Sequence, residues 1–211
     1  MCRLIEQLAP EYGVEIVGHL TRTTPPDADF PGAEVAIDFS AADAVAENAT
    51  RLAGQGVSLV IGTTGWQASE SAVRAAVTRY AIGVIAAPNF ALGVNAFSAI
   101  SARAAELLVR RGFAPWIHEA HHAAKKDAPS GTALSLQRVV EAAGGQAVDV
   151  SSTRAGYIPG THTVGFDAAG ETVTLTHAAR DRTPFARGAL EAARWIVGRR
   201  GWFTIQDMLG I

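Results

Sequence analysis

The sequence predicts an α/β protein with a doubly wound parallel sheet and a second domain of α+β type. Two observations predict this class. In the first half of the chain, short apolar runs alternate with alanine-rich segments of helical spacing, as expected for a parallel sheet buried on both faces. After residue 91, strand-like runs follow one another without intervening helices, which is typical of a mixed or antiparallel sheet.

The first-half strands are predicted where apolar runs end at Gly, Pro or polar turns. They cover 14–20, 34–40, 57–64 and 82–90. Helices are predicted at 41–56 and 66–80, and 2–13 also has the pattern of a helix. In a sheet of this kind ligands bind beyond the carboxyl ends of the strands. The segments "DFS", "GTTG" and "APNF" occupy those ends.

In the second half of the chain, the sequence predicts a long helix, a strand, another helix, a hairpin and a final helix. These elements cover 95–112, 113–122, 131–145, 161–179 and 184–199. The change of pattern places a domain junction near 90–95.

Composition excludes several classes of protein. The formal charge of −2 argues against broad nucleic-acid binding, which needs a basic face. The single cysteine, Cys2, excludes a disulfide framework and fits a reducing compartment. No uninterrupted apolar run approaches the ~20 residues that span a bilayer, and the first residues lack the apolar core of a signal peptide. We therefore expect a cytoplasmic protein with no membrane partner.

Two turns at neighbouring strand ends predict a nucleotide crevice. One is "GTTG", with Gly62, Thr63 and Thr64; the other is "APNF", residues 87–90, with Ala87, Pro88, Asn89 and Phe90. Backbone N–H groups at such turns suit a ribose, phosphate or nicotinamide edge. Each turn alone is equally well read as a capped strand-to-helix connection. Together they favour cofactor binding.

Arg22 follows the second-strand segment, where a dinucleotide-binding protein distinguishes its two cofactors. An arginine there accommodates a 2′-phosphate, so NADPH is favoured over NADH, although a surface arginine is an equal alternative. The glycine-rich loop that normally opens such a fold does not precede 14–20. We expect either that the true start lies upstream or that cofactor binding has been lost, and we favour the first.

The stretch "EAHHAAKKDAPSGTAL" at 119–134 combines titratable, cationic and helix-start residues. His121 can deliver a proton near neutral pH, and Lys125 can hold an anion. Ser130 is a candidate N-cap, and the first turn at Gly131 and Thr132 offers unpaired N–H groups to a carboxylate or phosphate. A metal site is not predicted, because adjacent strand histidines point to opposite faces and no convincing ligand spacing completes a set.

These motifs resemble one family, the bacterial dihydrodipicolinate reductases, also called 4-hydroxy-tetrahydrodipicolinate reductases. The resemblance covers nearly the whole chain and is carried by "IDFS", "GTTG", "APNFALGVN", "EAHHAAKKDAPSGTAL", "GTHTVGF", "GETVTLTHAARDRTPFARGAL" and "GWFTIQDML". It implies a Rossmann-type domain, 1–91 plus 183–211, and a central α+β domain, 92–182, for substrate binding and oligomerisation. It also implies a homotetramer formed through the central sheet.

The resemblance further implies residue roles. His121 matches the proton donor, and Lys125 a lysine assigned to proton donation or substrate binding. His122, Gly131 and Thr132 match substrate contacts, and the helix start predicted above adds Ser130 to the expected substrate-binding residues. Cofactor contacts are matched by Arg22, Gly62, Thr63, Thr64, Ala87, Pro88, Asn89 and Phe90. The implied reaction is NADPH- or NADH-dependent reduction of 4-hydroxy-tetrahydrodipicolinate, a cyclic dicarboxylate, in lysine and diaminopimelate synthesis.

Two positions depart from the family pattern. Met1 aligns with the methionine near the end of the glycine-rich loop, with Cys2 in place of the final glycine, and Ala123 replaces a basic residue after the histidine pair. The alternative hypothesis is therefore a cofactor-deficient, non-catalytic or regulatory homologue that keeps the oligomeric sheet. A different nicotinamide reductase of small dicarboxylates is a third possibility.

Overall fold

The computed structural model describes residues 1–25 and 27–211. The chain divides into two compact units: Met1–Ala91 with Thr183–Ile211, and Leu92–Arg182. Each unit contains one four-stranded sheet.

The first unit is built on a parallel sheet in the order β1-β2-β3-β8. Its strands are β1 (Val35–Asp38), β2 (Ser58–Ile61), β3 (Gly83–Ala86) and β8 (Gly201–Phe203). Its helices are α1 (Cys2–Leu8), α2 (Val45–Gly54), α3 (Glu70–Tyr80), α6 (Thr183–Ile196) and α7 (Ile205–Leu209). The predicted parallel sheet is confirmed.

Both faces of this sheet are covered, because successive side chains of a strand point to opposite sides. On β1, Ala36 packs into the core beneath α2 and α3, whereas Ile37 packs with α1 and α6. Leu59 and Ile61 of β2 lie in the first of these two cores. The apolar strands of the first half are explained by this two-sided burial.

One predicted strand is wrong. Residues 14–20 form no strand within the described part of the chain, and Ile16 and Val17 are 39% and 48% exposed. A β-branched run becomes a strand only where a neighbouring strand accepts its backbone hydrogen bonds. In the described sheet β1 is the edge strand and does not pair with this segment, whose ends Val14 and Leu20 pack against apolar clusters.

The second unit has a mixed sheet in the order β5-β4-β6-β7, as predicted. Its strands are β4 (Ala114–His121), β5 (Asp149–Arg154), β6 (Thr161–Ala168) and β7 (Glu171–Ala178). The β6–β7 hairpin is antiparallel, and β4 pairs antiparallel with β6 but parallel with β5. The parallel pair is connected through α5 (Gly131–Gly144), and α4 (Leu92–Leu108) packs beside α5.

Alternation along the strands gives this second sheet an inner and an outer face. The inner face carries Ile117, Val164, Phe166 and Leu175, which form a core with residues of α4 and α5. Among the described residues one helical stretch, Leu92–Arg111, is long and apolar enough by length and composition to cross a membrane. It consists of α4 and the short 3-10 turn after it, and α4 buries Phe97, Ser101 and Ala105 within the unit.

Candidate active site

A polar row crosses the inner face of the second sheet at one end of its apolar core. Strand register pairs Glu119 of β4 with Ser152 of β5 on one side and with His162 of β6 on the other, and His162 pairs with His177 of β7. The next position of β4, two residues on, is His121, which pairs with Arg154. The strand alternation that buries Ile117 and Val164 therefore turns this row towards the same side.

Glu119 is the centre of the row and is fully buried. Its Oε1 accepts hydrogen bonds from Arg154 Nη2 at 2.7 Å and from the Ser130 backbone N–H at 3.2 Å. Its Oε2 accepts from Arg154 Nη1 at 2.9 Å and lies 2.5 Å from His121 Nδ1. The two-pronged contact with the guanidinium fixes the plane of the carboxylate.

Glu119 stays ionised in this setting. Burial by itself raises the pKa of its carboxyl, but hydrogen bonds outweigh burial and lower the pKa to about 2. Arg154 contributes the largest lowering, followed by Ser152 and His121. A carboxylate only accepts hydrogen bonds, so His121 Nδ1 is the donor and Nε2 is the nitrogen left for chemistry.

The open side of His121 is bordered by Gly160. A Cβ at Gly160 would lie 3.0 Å from His121 Nε2, which is tighter than ordinary van der Waals contact. The glycine therefore keeps space beside His121 Nε2. The His162 ring packs edge-on against His121, with 5.1 Å between ring centroids.

His162 anchors the start of α5. Its Nε2 lies 2.9 Å from Ser130 Oγ, and Ser130 Oγ caps the helix by accepting from the Ala133 N–H at 3.2 Å. Burial lowers the pKa of His162 to about 4, and the nearby His121 adds to the lowering. His162 is thus neutral near pH 7 and serves as a fixed hydrogen-bonding group.

The predicted anion seat lies at this helix start. Ser130 is buried and its hydroxyl is committed to the cap, whereas Gly131 is exposed and a Cβ there would meet no atom within 4 Å. Thr132 is half-buried in the same turn. Any ligand contact at this turn therefore falls to Gly131 and Thr132, with Ser130 holding the turn in place.

Lys125 and His122 lie in the loop between β4 and α5. Lys125 Nζ contacts both oxygens of Asp127, at 2.7 and 3.0 Å. This contact lowers the pKa of Asp127. His122 is exposed, and its carbonyl accepts from the Lys125 N–H. An incoming carboxylate would compete with Asp127 for the ammonium.

Glu119, His121 and His162 also bring three metal-ligating atoms within 4.8 Å of one another. Their hydrogen bonds, however, already use those atoms: Arg154 and His121 contact Glu119, and Ser130 contacts His162. A guanidinium against the carboxylate also repels a second cation. The donor set suits proton transfer better than cation binding.

The other predicted turns lie at the carboxyl ends of β1, β2 and β3 in the first unit. Gly62 N donates to the Asp38 carbonyl, and Ala87 N donates to the Ile61 carbonyl. Thr64 and Pro88 are exposed, whereas Phe90 is buried edge-on against Phe39. The fold therefore brings residues 62–64 and 87–90 to one edge of one sheet.

Asp38 organises that edge. Its Oδ1 accepts from the Ser40 N–H at 2.8 Å, from Ser40 Oγ at 2.7 Å and from Thr63 Oγ1 at 2.8 Å. Asn48 contacts its Oδ2 at 3.4 Å. The Thr63 hydroxyl, predicted as a cofactor contact, thus holds the turn, and Thr64 offers the exposed hydroxyl.

Arg22 is exposed in a turn after the 14–20 segment. The neighbouring Thr21 hydroxyl lies 3.1 Å from each of the Thr23 and Thr24 hydroxyls. The turn is therefore locally hydrogen-bonded, and the guanidinium of Arg22 faces solvent.

Sequence reasoning missed Glu119, Arg154 and His162. Glu119 is the first residue of the 119–134 segment, but a lone glutamate on an alternating strand resembles a solvent-facing residue. Its partners Ser130 and Arg154 are 11 and 35 residues away in the chain. A usable signal was spacing: Glu119 and His121 are two apart on a strand and share a face.

Family models match both parts of the chain. The model described as dihydrodipicolinate reductase, N-terminus, matches residues 5–90, and the model described as dihydrodipicolinate reductase, C-terminus, matches residues 93–209. The chain belongs to the dihydrodipicolinate reductase family.

Individual relatives agree with this assignment. The 4-hydroxy-tetrahydrodipicolinate reductase of Myxococcus xanthus is 40% identical over 202 residues, covering 86% of this chain and 74% of the relative. That of Chromobacterium violaceum is 38% identical, covering 87% of this chain and 76% of the relative. That of Laribacter hongkongensis is 35% identical, covering 99% and 93%.

Solved structures share the fold. A dipicolinate-bound dihydrodipicolinate reductase from Paenisporosarcina sp. TG-14 superposes with a TM-score of 0.77 at 20% identity, covering 96% of this chain and 94% of that chain. An engineered D-amino acid dehydrogenase bound to NADP+ superposes with a TM-score of 0.53 at 14% identity, covering 97% and 90%. Both structures therefore share the fold of this chain at 20% and 14% sequence identity.

Proposed function

We propose that this chain reduces 4-hydroxy-tetrahydrodipicolinate to tetrahydrodipicolinate with a nicotinamide cofactor, in the synthesis of lysine and diaminopimelate. The observation that carries the proposal is the contact of the buried, ionised Glu119 with His121 Nδ1. That contact leaves Nε2 as a proton donor, in a unit that also presents Lys125 and the start of α5. Relatives of 35–40% identity supply the identity of the substrate.

The substrate is a dicarboxylate, and the second unit offers complementary groups. Lys125 and the first turn of α5 at Gly131 and Thr132 would hold its carboxylates, and exposed His122 lies in the same loop as Lys125. The related structure bound to dipicolinate supports a ligand of this class. Holding both charges orients the ring and offsets charge that develops during reduction.

The proton would come from His121. The 4-hydroxyl group would leave as water to give a conjugated ring, and the reduced nicotinamide, when bound, would supply a hydride to that ring. His121 Nε2 would then protonate the enamine-like carbon, and Glu119 would stabilise the imidazolium before transfer. Lys125 would act by holding the carboxylate.

The cofactor would bind at the carboxyl edge of the first sheet. Residues 62–64 and 87–90 end adjacent parallel strands there, the position at which such sheets bind nucleotides. We propose NADPH as the preferred form, because exposed Arg22 can pair with a 2′-phosphate. A solved neighbour bound to NADP+ supports a cofactor of this kind.

Assembly would use the outer face of the second sheet. Helices α4 and α5 pack on the inner face, and the outer face presents exposed Thr172, Thr174 and Thr176. Trp116 lies flat on this face where Gly165 has no side chain to displace it. A homotetramer formed through this face, in the cytoplasm, completes the proposal.

The experiment follows NADPH oxidation with enzymatically generated substrate. We expect turnover by the 211-residue chain, and a His121→Ala variant should lose on the order of 10²- to 10⁴-fold in kcat. His19→Ala, an exposed histidine of the first unit, is the matched control. Light scattering on the same preparation measures the assembly.

Two results would contradict the proposal. Wild-type turnover by His121→Ala would remove the proposed proton donor. A chain that forms tetramers yet neither binds nor oxidises NADPH would favour the non-catalytic alternative.

A further inference from the structure

We propose that Glu119 and Arg154 form a positioning pair that fixes which nitrogen of His121 exchanges the proton. The inference rests on the proposed function, since it assigns how that function's proton donor is oriented. Neither residue needs to touch the substrate. Both act through His121.

The first argument is the geometry of the carboxylate. Each oxygen of Glu119 has two partners: Arg154 and Ser130 at Oε1, and Arg154 and His121 at Oε2. The side chain is fully buried, so water does not compete for these contacts. Rotation of the carboxylate would break at least two charge-assisted hydrogen bonds at once.

The second argument concerns the tautomer of His121. A neutral imidazole carries its proton on one nitrogen, and the partner of that nitrogen decides which. The ionised Glu119 can only accept, so the proton stays on Nδ1. Nε2 therefore delivers a proton when the ring is charged and holds the lone pair when the ring is neutral.

The third argument concerns the role of Arg154. A carboxylate 2.5 Å from an imidazole nitrogen competes for its proton. The guanidinium lowers the basicity of Glu119 by binding both of its oxygens. In the proposed step a C–H bond forms with the proton of Nε2, and the N–H bond at Nε2 breaks. His121 becomes neutral with Nδ1–H intact, and Glu119 remains ionised.

Arg154 is itself held in place from outside the pair. Its Nη1 donates to the Thr153 carbonyl at 2.7 Å, and its Nη2 donates to the Asp127 carbonyl at 2.5 Å. Asp127 is the residue that contacts Lys125. The loop that carries the lysine and the strand that carries the histidine are thus joined through one guanidinium.

The titratable and charged groups near His121 lie on the four strands of the second sheet and on the loop after β4. They are Glu119 on its own strand, Arg154 on β5, His162 on β6, and His177 and Lys125, whose charges act on His162. Because burial keeps His162 neutral near pH 7, the charge that faces Nδ1 is that of the Glu119–Arg154 pair. The pair is therefore the group to alter.

The experiment combines kinetics with ¹⁵N NMR of the histidine rings. In Glu119→Gln we expect kcat to fall on the order of 100-fold. Removing a residue that orients a ligand typically costs ~10–100-fold in activity, and replacing the carboxylate of a catalytic triad costs ~10⁴-fold in kcat. KM should change less than about threefold, because carboxylate binding is unaffected. The His121 signals, assigned by their loss in His121→Ala, should change from a single Nδ1–H tautomer to a mixture.

Matched variants separate orientation from folding. Glu106→Gln makes the same change at an exposed carboxylate paired with Arg103 and should be silent in both measurements. Glu119→Asp should recover the single tautomer and part of kcat. The double variant Glu119→Gln with Arg154→Met leaves no unpaired buried charge, so it should fold and still show the mixture and the low kcat.

The two readouts also separate this inference from the proposed function. A wild-type chain without turnover would contradict the function, and the tautomer is then still measured on that chain without substrate. A folded Glu119→Gln or double variant with kcat within about twofold of wild type would overturn the inference. So would a wild-type His121 without an Nδ1 proton.

Discussion

Two carboxylates organise the two polar regions of this molecule, and they differ in the charge of their partners. Asp38, at the end of β1, is bound by neutral groups: the Ser40 backbone and hydroxyl, and the Thr63 hydroxyl. Glu119, near the end of β4, is bound by the guanidinium of Arg154 and the imidazole of His121. Neutral donors fix a turn, whereas a guanidinium and an imidazole surround the carboxylate for which we propose a part in proton transfer. The charge of the partners, rather than the carboxylate itself, separates the turn at Asp38 from the proposed catalytic arrangement at Glu119.

The largest expected effect comes from breaking the charged pair. Arg154→Ala should lower the free energy of unfolding by about 3–5 kcal/mol at pH 7, because it leaves the buried Glu119 charge unpaired. Burial then dominates and raises the pKa of Glu119 above that of the unfolded chain. The deficit relative to wild type should therefore shrink as pH falls from 7 towards 5, as measured by urea unfolding.

Arg103→Ala is the control for that measurement. It breaks an exposed ion pair with Glu106 in the same unit, so its cost should stay below about 1 kcal/mol at every pH. Equal losses in the two variants would erase the distinction between Glu119 and an ordinary surface carboxylate.

The next effect is the pH dependence caused by His162. Burial lowers its pKa from 6.5 to about 4 in the folded chain, so the unfolded chain binds a proton first as pH falls. Stability should decrease by about 3 kcal/mol between pH 7.5 and pH 4 through this residue. In His162→Gln that part of the slope should disappear, whereas exposed His19→Gln should retain the wild-type slope. An unchanged slope in His162→Gln would mean that the ring is charged in the folded chain.

The smallest effect lies in the neutral network. Thr63→Val removes one hydroxyl from Asp38, which keeps its hydrogen bonds from Ser40. We expect a loss of about 1 kcal/mol, measured by thermal or urea unfolding. Thr64→Val changes the exposed neighbour and should stay within about 0.5 kcal/mol. A Thr63 effect as large as that of Arg154→Ala would mean that neutral and charged partners are equivalent here.

Much of the fold followed from the sequence because local pattern and burial agree. The runs that became β2 and β3 are apolar on both faces, and α5 begins at the predicted cap, Ser130. Residues 14–20 have the same β-branched pattern, but strand formation depends on a partner that a single segment does not reveal. The strand β5, "DVSSTR", was missed because five of its six residues are polar or charged and its place in the sheet comes from pairing with β4.

The site was predictable where its residues are close in sequence. The 119–134 segment contains His121, Lys125 and the start of α5, so the sequence alone predicts that these groups lie near one another. Arg154, which binds Glu119, and His162, which packs against His121, were not predicted, since both come from other strands through register alone. A register is a long-range property, and alternation predicts only which face a residue occupies.

The order of segments along the chain has a consequence for synthesis. The second unit is one continuous segment, Leu92–Arg182, whereas the first unit is assembled from Met1–Ala91 and Thr183–Ile211. During translation, the first 91 residues lack β8, which pairs with β3, and α6, which packs against α1. The later-made unit therefore has all its strands before the earlier-made unit can complete its sheet with β8. We expect residues 92–182 to fold during synthesis before the unit that contains residues 1–91 is complete.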